Sequence, residues 1–459
     1  MSDRTVTGRP ESVRIGCGSA GAIDRISLGV DMVRDGDVRY LALDCLAERS
    51  LALAHLRRTS GSGPGYDPRL AEIGAQLLPL ARERGVSVIA NLGAADPEGA
   101  MSFLQEHAAE YGLTGTKLAV IAGDDVLDHV KQADSEIAET GGRVSDFAHA
   151  VVSANAYLGY EPVAEALGEG ADVVIGGRIA DASLFLGPLA HEFGWSNEDW
   201  DELAAGSCIA HLLECGTYVT GGNFADPPYN VVEDFTRPSL PLADVAADGS
   251  AVLRKLPGSG GALNSMTCKL QLGYEIHDPA HHPTPDVVAD FSHVEAIDQD
   301  DGGVLLRGAA GAPRPGQLKV VIGVAEGFIG ENTVSFGGLG ALERAEGAKG
   351  ILEHRLAGLA ATYDIEEWRV DLLGVDALHG DRSLVSADHP PYEVHVRAAG
   401  RCTERRAAEA LAHEVEYLLL FGPAGAAAAH RTRIAQIVST YSAYVDRELV
   451  APSFSLVTL

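Results

Sequence analysis

His211 and Glu214 stand three residues apart in AAGSCIAHLLEC, a stretch of good helix formers beginning near Ala204. On a helix that spacing puts an imidazole and a carboxylate on one face. Such a pair can exchange protons as general acid and base, and it can also ligate a metal. It can equally be a core histidine held by a backbone carbonyl, with Glu214 in water. His191 precedes it, at the end of a helix expected over 181–193, but no second closely spaced ligand pair is visible, so no metal ligands are assigned. Just upstream, Gly176-Gly177-Arg178 leads through Ile179 and Ala180 to Asp181 and Ser183. Arg178 could grip a carboxylate in bidentate fashion, and Asp181 or Ser183 could cap the helix that follows. A plain turn and cap explains the same residues.

Asn91 closes the run VSVIAN, where its amide suits either an oxyanion or a turn. Gly16-Cys17-Gly18-Ser19-Ala20-Gly21 spells GxGxxG after an apolar run, and Asp44 ends the next such run. This pattern has three readings: pyrophosphate on a helix N-terminus, a carboxylate or other anion held by Ser19 and Arg25, or a tight structural turn. Asp24 opposes the first reading, because it places an acid where phosphate would approach. Asp24 and Asp44 are retained as acid/base candidates. Lys255, followed by Gly258-Ser259-Gly260-Gly261, could cradle an anion, although the order is not that of a P-loop. Glu275 and His277 form a further carboxylate–imidazole group beside an Asp-Pro turn. The chain has no GxSxG, no HExxH and no kinase signature. Cys17 lies in the first glycine pattern but has no obvious activating neighbour.

These residues need elements to position them. The first half repeats an apolar run, a polar residue at its end, then a helical stretch. The runs are VRIG (13–16), YLALD (40–44), VSVIAN (86–91), KLAVIAG (117–123) and DVVIGG (172–177). Nearly continuous apolar runs separated by helices, such as one over 67–84, predict a mainly parallel α/β sheet with a ligand crevice at the strand ends. A domain over 1–225 is expected to carry that site. NFADPPYNVVEDFTRPSLPL (222–240 region) reads as a connection or lid. After it, 226–459 reads as an α+β domain contributing strands, a lid and an interface, with runs at 250–256, 304–309, 318–325, 332–338, 392–400 and 433–445, helices near 340–362 and 404–421, and a Gly/Ala-rich loop at 422–429.

The 459 residues carry a net charge of −30 (35 basic, 65 acidic), which repels phosphate backbones and anionic lipid, so neither nucleic acid nor membrane is an expected partner. No apolar run reaches the roughly 18 residues of a membrane span, and the N-terminal stretch lacks the apolar centre of a signal peptide. Six scattered cysteines without a CxxC pair fit a reducing cytoplasm.

Taken together, GRIADASLFLGPLAHEFGW (177–195), LAAGSCIAHLLECGTYVTGGNFADP (203–227), KLPGSGG (255–261), YEIHDPAHHPTPDVVADF (274–291) and LKVVIGVAEGFIGENTVSFGG (318–338) resemble the acyclic terpene utilisation, or AtuA-like, family over roughly 13–458. The family's first loop usually reads Gly-Asp-Arg. Here the pair Asp24-Arg25 is kept after Ala22-Ile23, a departure that weakens the dinucleotide reading. The resemblance implies a place in the breakdown of acyclic terpenes through branched acyl-CoA intermediates.

The expectation is therefore a lyase of hydratase or dehydratase type acting on a branched acyl-CoA or small carboxylic acid. Glu214 or Asp181 would take the α-proton and His211 would protonate the leaving hydroxyl. Arg178 and Asn91 would bind the carbonyl or carboxylate, and Lys255 with Gly258, Ser259 and Gly260 the anionic tail. No cofactor is required, although a divalent metal or an acyl-CoA would fit, and a homo-oligomer is expected. An NAD(P)-dependent oxidoreductase using Gly16–Gly21 and Asp44, or a non-catalytic subunit of an acyl-CoA-processing complex, are the alternatives.

Overall fold

The computed structural model describes residues 10–383, 390–427 and 432–459, together a mixed α/β protein. The last residues of the expected 422–429 loop, and the N-terminal stretch before residue 10, lie outside them. The chain divides into two compact units, 1–323 with 440–459, and 324–439. No helix among the described residues is long and apolar enough to cross a membrane.

The first unit is built on a ten-stranded mixed sheet. Its middle is parallel: Ser12–Ala20, Tyr40–Asp44, Ser87–Ala90, Val173–Gly176 and Lys117–Ala122, side by side in that order. These are the apolar runs of the sequence, and their interiors are buried on both faces, as strands covered by helices on each side must be. Antiparallel strands extend both margins. Pro241–Ala246 pairs with the first strand and leads outward to Ala251–Lys255, Val304–Arg307 and Glu295–Asp298. Ser453–Thr458, near the end of the chain, pairs with Lys117–Ala122 on the other side. The sheet is thus mixed, because segments after residue 240 pair onto its margins.

Local chemistry explains the departures from the expected elements. The helix expected over 67–84 is two helices, Leu70–Gln76 and Leu78–Arg84, broken where Pro79 follows at the start of the second. Helix Ile26–Asp35 packs onto the first strand at a glycine contact. A Cβ at Gly29 would lie 2.6 Å from the carbonyl oxygen of Gly18, and one at Gly16 would lie 2.8 Å from Cγ of Met32. Strand Ser12–Ala20 includes Gly16 and Gly18, so these two glycines serve close packing inside a strand and are not in a phosphate-facing turn. The region 222–240 contains turns but no helix or strand.

Helix Trp200–Glu214 is buried from Leu203 to Leu213. Its composition is apolar almost all round, as a helix enclosed by protein requires. It packs against helix Ser183–Phe193, which follows the Val173–Gly176 strand, and against helix Ser265–Leu272. These contacts carry the end of the parallel sheet and the His211–Glu214 face toward the same space.

The second unit has an antiparallel sheet in which Ile365–Leu373 pairs with Glu393–Cys402, and Glu393–Cys402 pairs residue by residue with Phe328–Gly337 of the strand Gln317–Gly337. The two runs expected at 318–325 and 332–338 are one continuous strand. Helices Ala341–Ala360 and Arg405–Phe421 cover the sheet through a core that includes Phe336, Val396, Leu352 and Leu411.

Candidate active site

A cavity of about 440 Å³ opens in the first unit. Helix Trp200–Glu214 lines it with Ser207, His211 and Glu214, whose i, i+4 and i+7 spacing forms one stripe. The loop after strand Val173–Gly176 supplies Asp181, and Ser183 is the first residue of the helix that follows it. Glu48 comes from the first turn of helix Glu48–Ser60, and Tyr157, Glu275, His282, Lys319 and Tyr444 complete much of the wall.

Glu214 and His211 are joined at 3.0 Å through Oε1 and Nδ1, and the other ring nitrogen, Nε2, lies 3.1 Å from the carbonyl oxygen of Gln271. A carbonyl only accepts, so Nε2 carries a hydrogen and donates it. The proton between Nδ1 and Glu214 is therefore the one the pair shares. Burial opposes charge on His211, but the Glu214 carboxylate and the Gln271 carbonyl outweigh it and raise its pKa. Burial also pushes Glu214 up, and the negative charges of Asp181 and Glu275 add to this against the pull of His211. The pair holds a proton more tightly than either group would in water.

Asp181 is bonded to Nη2 of Arg178. Burial drives the Asp181 pKa up and Glu48 adds to it, while Arg178 and Lys319 restrain the rise. Arg178 itself is fully buried and does not line the cavity. It donates to the carbonyls of Leu46 (2.6 Å) and Ile179 (3.0 Å), and its guanidinium lies 4.6 Å from the centre of the Tyr157 ring. It therefore fixes Asp181 from behind and does not reach into the open space. Neither Asp181 nor Ser183 caps the next helix: Ala182 is the capping residue, and the Ser183 hydroxyl donates to the buried Asp286. Gly177 is required here, since a Cβ would meet Asp124 at 2.6 Å.

Asp44 and Asn91 lie behind this pair. The Asn91 amide donates to Asp44 (2.7 Å), and its oxygen accepts from the Cys45 N–H (2.6 Å), so the amide is spent on orienting Asp44. Burial raises the Asp44 pKa well above the carboxylate range; Asp181 and Glu214 push the same way, and Arg178 and Asn91 push against them. Glu48 behaves differently. Burial would raise it, but the Tyr157 hydroxyl, donating at 2.5 Å, with Arg178 and Lys319, brings its pKa below the usual value.

The other sequence candidates fall elsewhere. Asp24 closes a turn by accepting from the Ala20 (2.7 Å) and Arg25 (3.0 Å) N–H groups, Ser19 donates to Gly21, and the Arg25 side chain is exposed; none lines the cavity. The Lys255 ammonium donates to the carbonyls of Ser259 (2.7 Å) and Gly260 (3.3 Å), and the N–H groups of Ser259, Gly260 and Gly261 bond to Leu256, Arg237 and Glu233. The ammonium and these three N–H groups are thus spent on the protein's own carbonyls, and the loop does not line the cavity. His191 does not line the cavity either.

Glu48, Tyr157, Lys319, Ser207 and His282 are wall residues that spacing did not single out. Tyr157 and Lys319 come from remote segments joined by the Tyr157 N–H donating to the Lys319 carbonyl at 2.9 Å. A lysine inside an apolar strand was their one sequence signal. The Ser207 hydroxyl is buried with no hydrogen-bond partner among the described residues, and its place four residues before His211 was readable from the helical repeat. Burial and the neighbouring His211 and His277 push the His282 pKa down to about 4, so His282 is neutral at physiological pH. Among the described residues no three His, Cys, Asp or Glu side chains converge as a metal set.

The family model for the acyclic terpene utilisation family protein AtuA matches residues 13–456, nearly the whole chain and every residue of the cavity wall. The chain belongs to the AtuA family. No curated protein and no solved structure matches it. For this AtuA-family chain, the cavity geometry is therefore the source from which chemistry can be read.

Proposed function

We propose that the protein is an enzyme, a lyase of the hydratase or dehydratase type, acting on a branched acyl thioester or a small carboxylic acid. The observation that carries this reading is the pairing of Asp181 and Glu214 on one cavity, each with its own partner and each with a raised pKa. Carboxyl groups held in different environments are what divides acid from base in such chemistry.

In the dehydration direction Asp181 takes the proton from the carbon next to the carbonyl. Glu214 gives a proton to the hydroxyl on the neighbouring carbon, the carbon–oxygen bond breaks, and water and a carbon–carbon double bond result. Hydration is the reverse. His211 is a positioning residue, because both its nitrogens are occupied by protein; it keeps a proton on the His211–Glu214 pair. This alters the roles read from the sequence, where His211 itself was the acid. Lys319, on the cavity wall, polarises the carbonyl, and the unpartnered Ser207 hydroxyl is available to the substrate oxygen. The excess of carboxyl groups on the wall suits a neutral thioester carbonyl at the reacting end.

The test is hydron exchange. The full-length chain is incubated in D2O with 3-hydroxyacyl thioesters, enoyl thioesters and 2- and 3-hydroxy acids, and NMR follows deuterium entering next to the carbonyl. Exchange that Asp181→Asn abolishes supports the reading. Absence of exchange and of water addition across the panel, with folded protein, removes it.

A further inference from the structure

His282 stands on the cavity wall beside the His211–Glu214 pair. It begins the short strand His282–Pro283, where it pairs with Ala289 of strand Val288–Asp290. That strand pairs in turn with Ala310–Ala312, and both lie against helix Trp200–Glu214. The small sheet therefore carries His282 to the part of the helix that bears His211. The two imidazole rings lie 6.4 Å apart, centre to centre. Phe291 contacts both, at 6.4 Å from His211 and 5.6 Å from His282.

The two histidines are equipped differently. Both nitrogens of His211 bond to protein, one to Glu214 and one to the Gln271 carbonyl. The His282 ring has no hydrogen bond or ion pair among the described residues, only its ring contacts. Burial and the neighbouring His211 and His277 keep it neutral. A neutral imidazole has one N–H and one lone pair, whereas an imidazolium has donors only. The wall thus presents an acceptor that the protein leaves unused. Ser207, one helical turn before His211, is a second wall group without a partner among the described residues. A desolvated polar group without a partner is costly, and a ligand's polar atom can recover that cost.

The oxygen that leaves changes its needs during the reaction. As a substrate hydroxyl it carries one hydrogen. As water it carries two, once Glu214 has given its proton and the carbon–oxygen bond has broken. An acceptor on the wall holds it more tightly after that bond breaks, and such differential binding lowers the barrier. The geometry points to His282 as the residue that receives the departing hydroxyl as water and, in hydration, holds the water that adds. It accepts a hydrogen bond and takes no proton. This inference rests on the hydratase or dehydratase reading of the cavity.

The test uses the full-length chain with 15N-labelled histidine. The probes are 3-hydroxyacyl thioesters of N-acetylcysteamine, branched and unbranched, the matching acyl thioesters that lack the hydroxyl, and the corresponding free acids. The His282 ring signals are assigned by their loss in His282→Phe, which keeps an aromatic ring against Phe291. A shift of those signals with the hydroxylated probes and none with their deoxy counterparts is expected. In turnover, His282→Phe should slow water elimination about 10²-fold while KM changes less than about threefold. His282→Asn or His282→Gln, whichever places its amide at the contacting nitrogen, should restore the rate to within about tenfold of the wild type. Elimination by His282→Phe at the wild-type rate overturns the assignment. So do His282 signals that no hydroxylated probe shifts up to roughly tens of millimolar. Hydron exchange without a His282 shift leaves the proposed function standing and removes this residue from it. A hydroxyl-dependent shift without exchange or turnover supports the contact and removes the lyase reading.

Discussion

The cavity of the first unit and the sheet of the second unit are both rich in ionised side chains, yet they treat them in opposite ways. In the second unit carboxylates and arginines alternate across strands. Arg397 bonds Glu331 at 2.6 Å and Asp371 at 3.2 Å, Arg433 reaches Glu331 at 3.1 Å, and Arg401 joins Glu326 at 2.9 Å and Glu366 at 2.6 Å. Burial would raise the Glu331 pKa, but the two arginines overcome it and hold it below the ordinary value. Around the cavity, Asp44, Asp181 and Glu214 crowd together with Glu48 and Glu275 nearby, and burial with mutual repulsion drives the first three up. Paired charges of the first kind hold a sheet together. Crowded charges of the second kind cost stability and keep protons on carboxyl groups, as the proposed acid/base chemistry requires.

The sharpest way to break this contrast is to remove a crowded carboxyl. Asp181→Asn and Glu214→Gln should each lower turnover by about 10²- to 10⁴-fold, as read by the hydron-exchange rate, with the fold intact by circular dichroism. Glu331→Gln in the second unit should leave that rate unchanged. Next in size is Arg178→Met. It removes a fully buried guanidinium together with its bonds to the Leu46 and Ile179 carbonyls, leaving those acceptors unsatisfied, and should cost about 2–4 kcal/mol in denaturant unfolding.

Asp44→Asn sharpens the comparison through pH. The raised folded-state pKa means the native state binds more protons than the unfolded chain above the ordinary carboxylate pKa. Stability is therefore lost as pH rises through the window from that value to the folded one. Replacing Asp44 by a neutral residue removes the loss, so the variant's melting temperature should gain on the wild type more at pH 8 than at pH 4. Smallest is Glu331→Gln in stability terms: under about 1 kcal/mol, shrinking further in high salt.

Much of the parallel sheet was legible because strands buried on both faces must be apolar throughout: Tyr40–Asp44 matches the run YLALD residue for residue. On the antiparallel margins the runs at 250–256 and 304–309 were legible as strands, but their place in this sheet was not, since Pro241–Ala246 and Ser453–Thr458 join it through strands more than two hundred residues away. Strand Val151–Ala156 was missed because Ser153 and Asn155 interrupt its apolar pattern; the amide of Asn155 is spent on the buried Asp124 at 2.9 Å. The helical pair His211–Glu214 was local, hence readable; Arg178 read as a grip on a substrate carboxylate, whereas it bonds Asp181 three residues on. The division of labour within the pair was not readable, because it depends on the Gln271 carbonyl and on what lies behind each side chain. Lys255 shows the converse: a motif shaped like an anion cradle whose ammonium the fold spends on its own carbonyls.

The central claim is that Asp181 and Glu214 carry protons at pH values where ordinary carboxyls do not. Carboxyl 13C NMR of protein labelled at Asp and Glu, titrated with and without Asp181→Asn and Glu214→Gln, reads this directly. The account predicts that the resonances lost in those variants titrate above the usual carboxylate range, while Glu331 titrates below it. If the Asp181 and Glu214 resonances titrate at or below the ordinary range, the cavity is another set of paired charges and the acid/base reading is wrong.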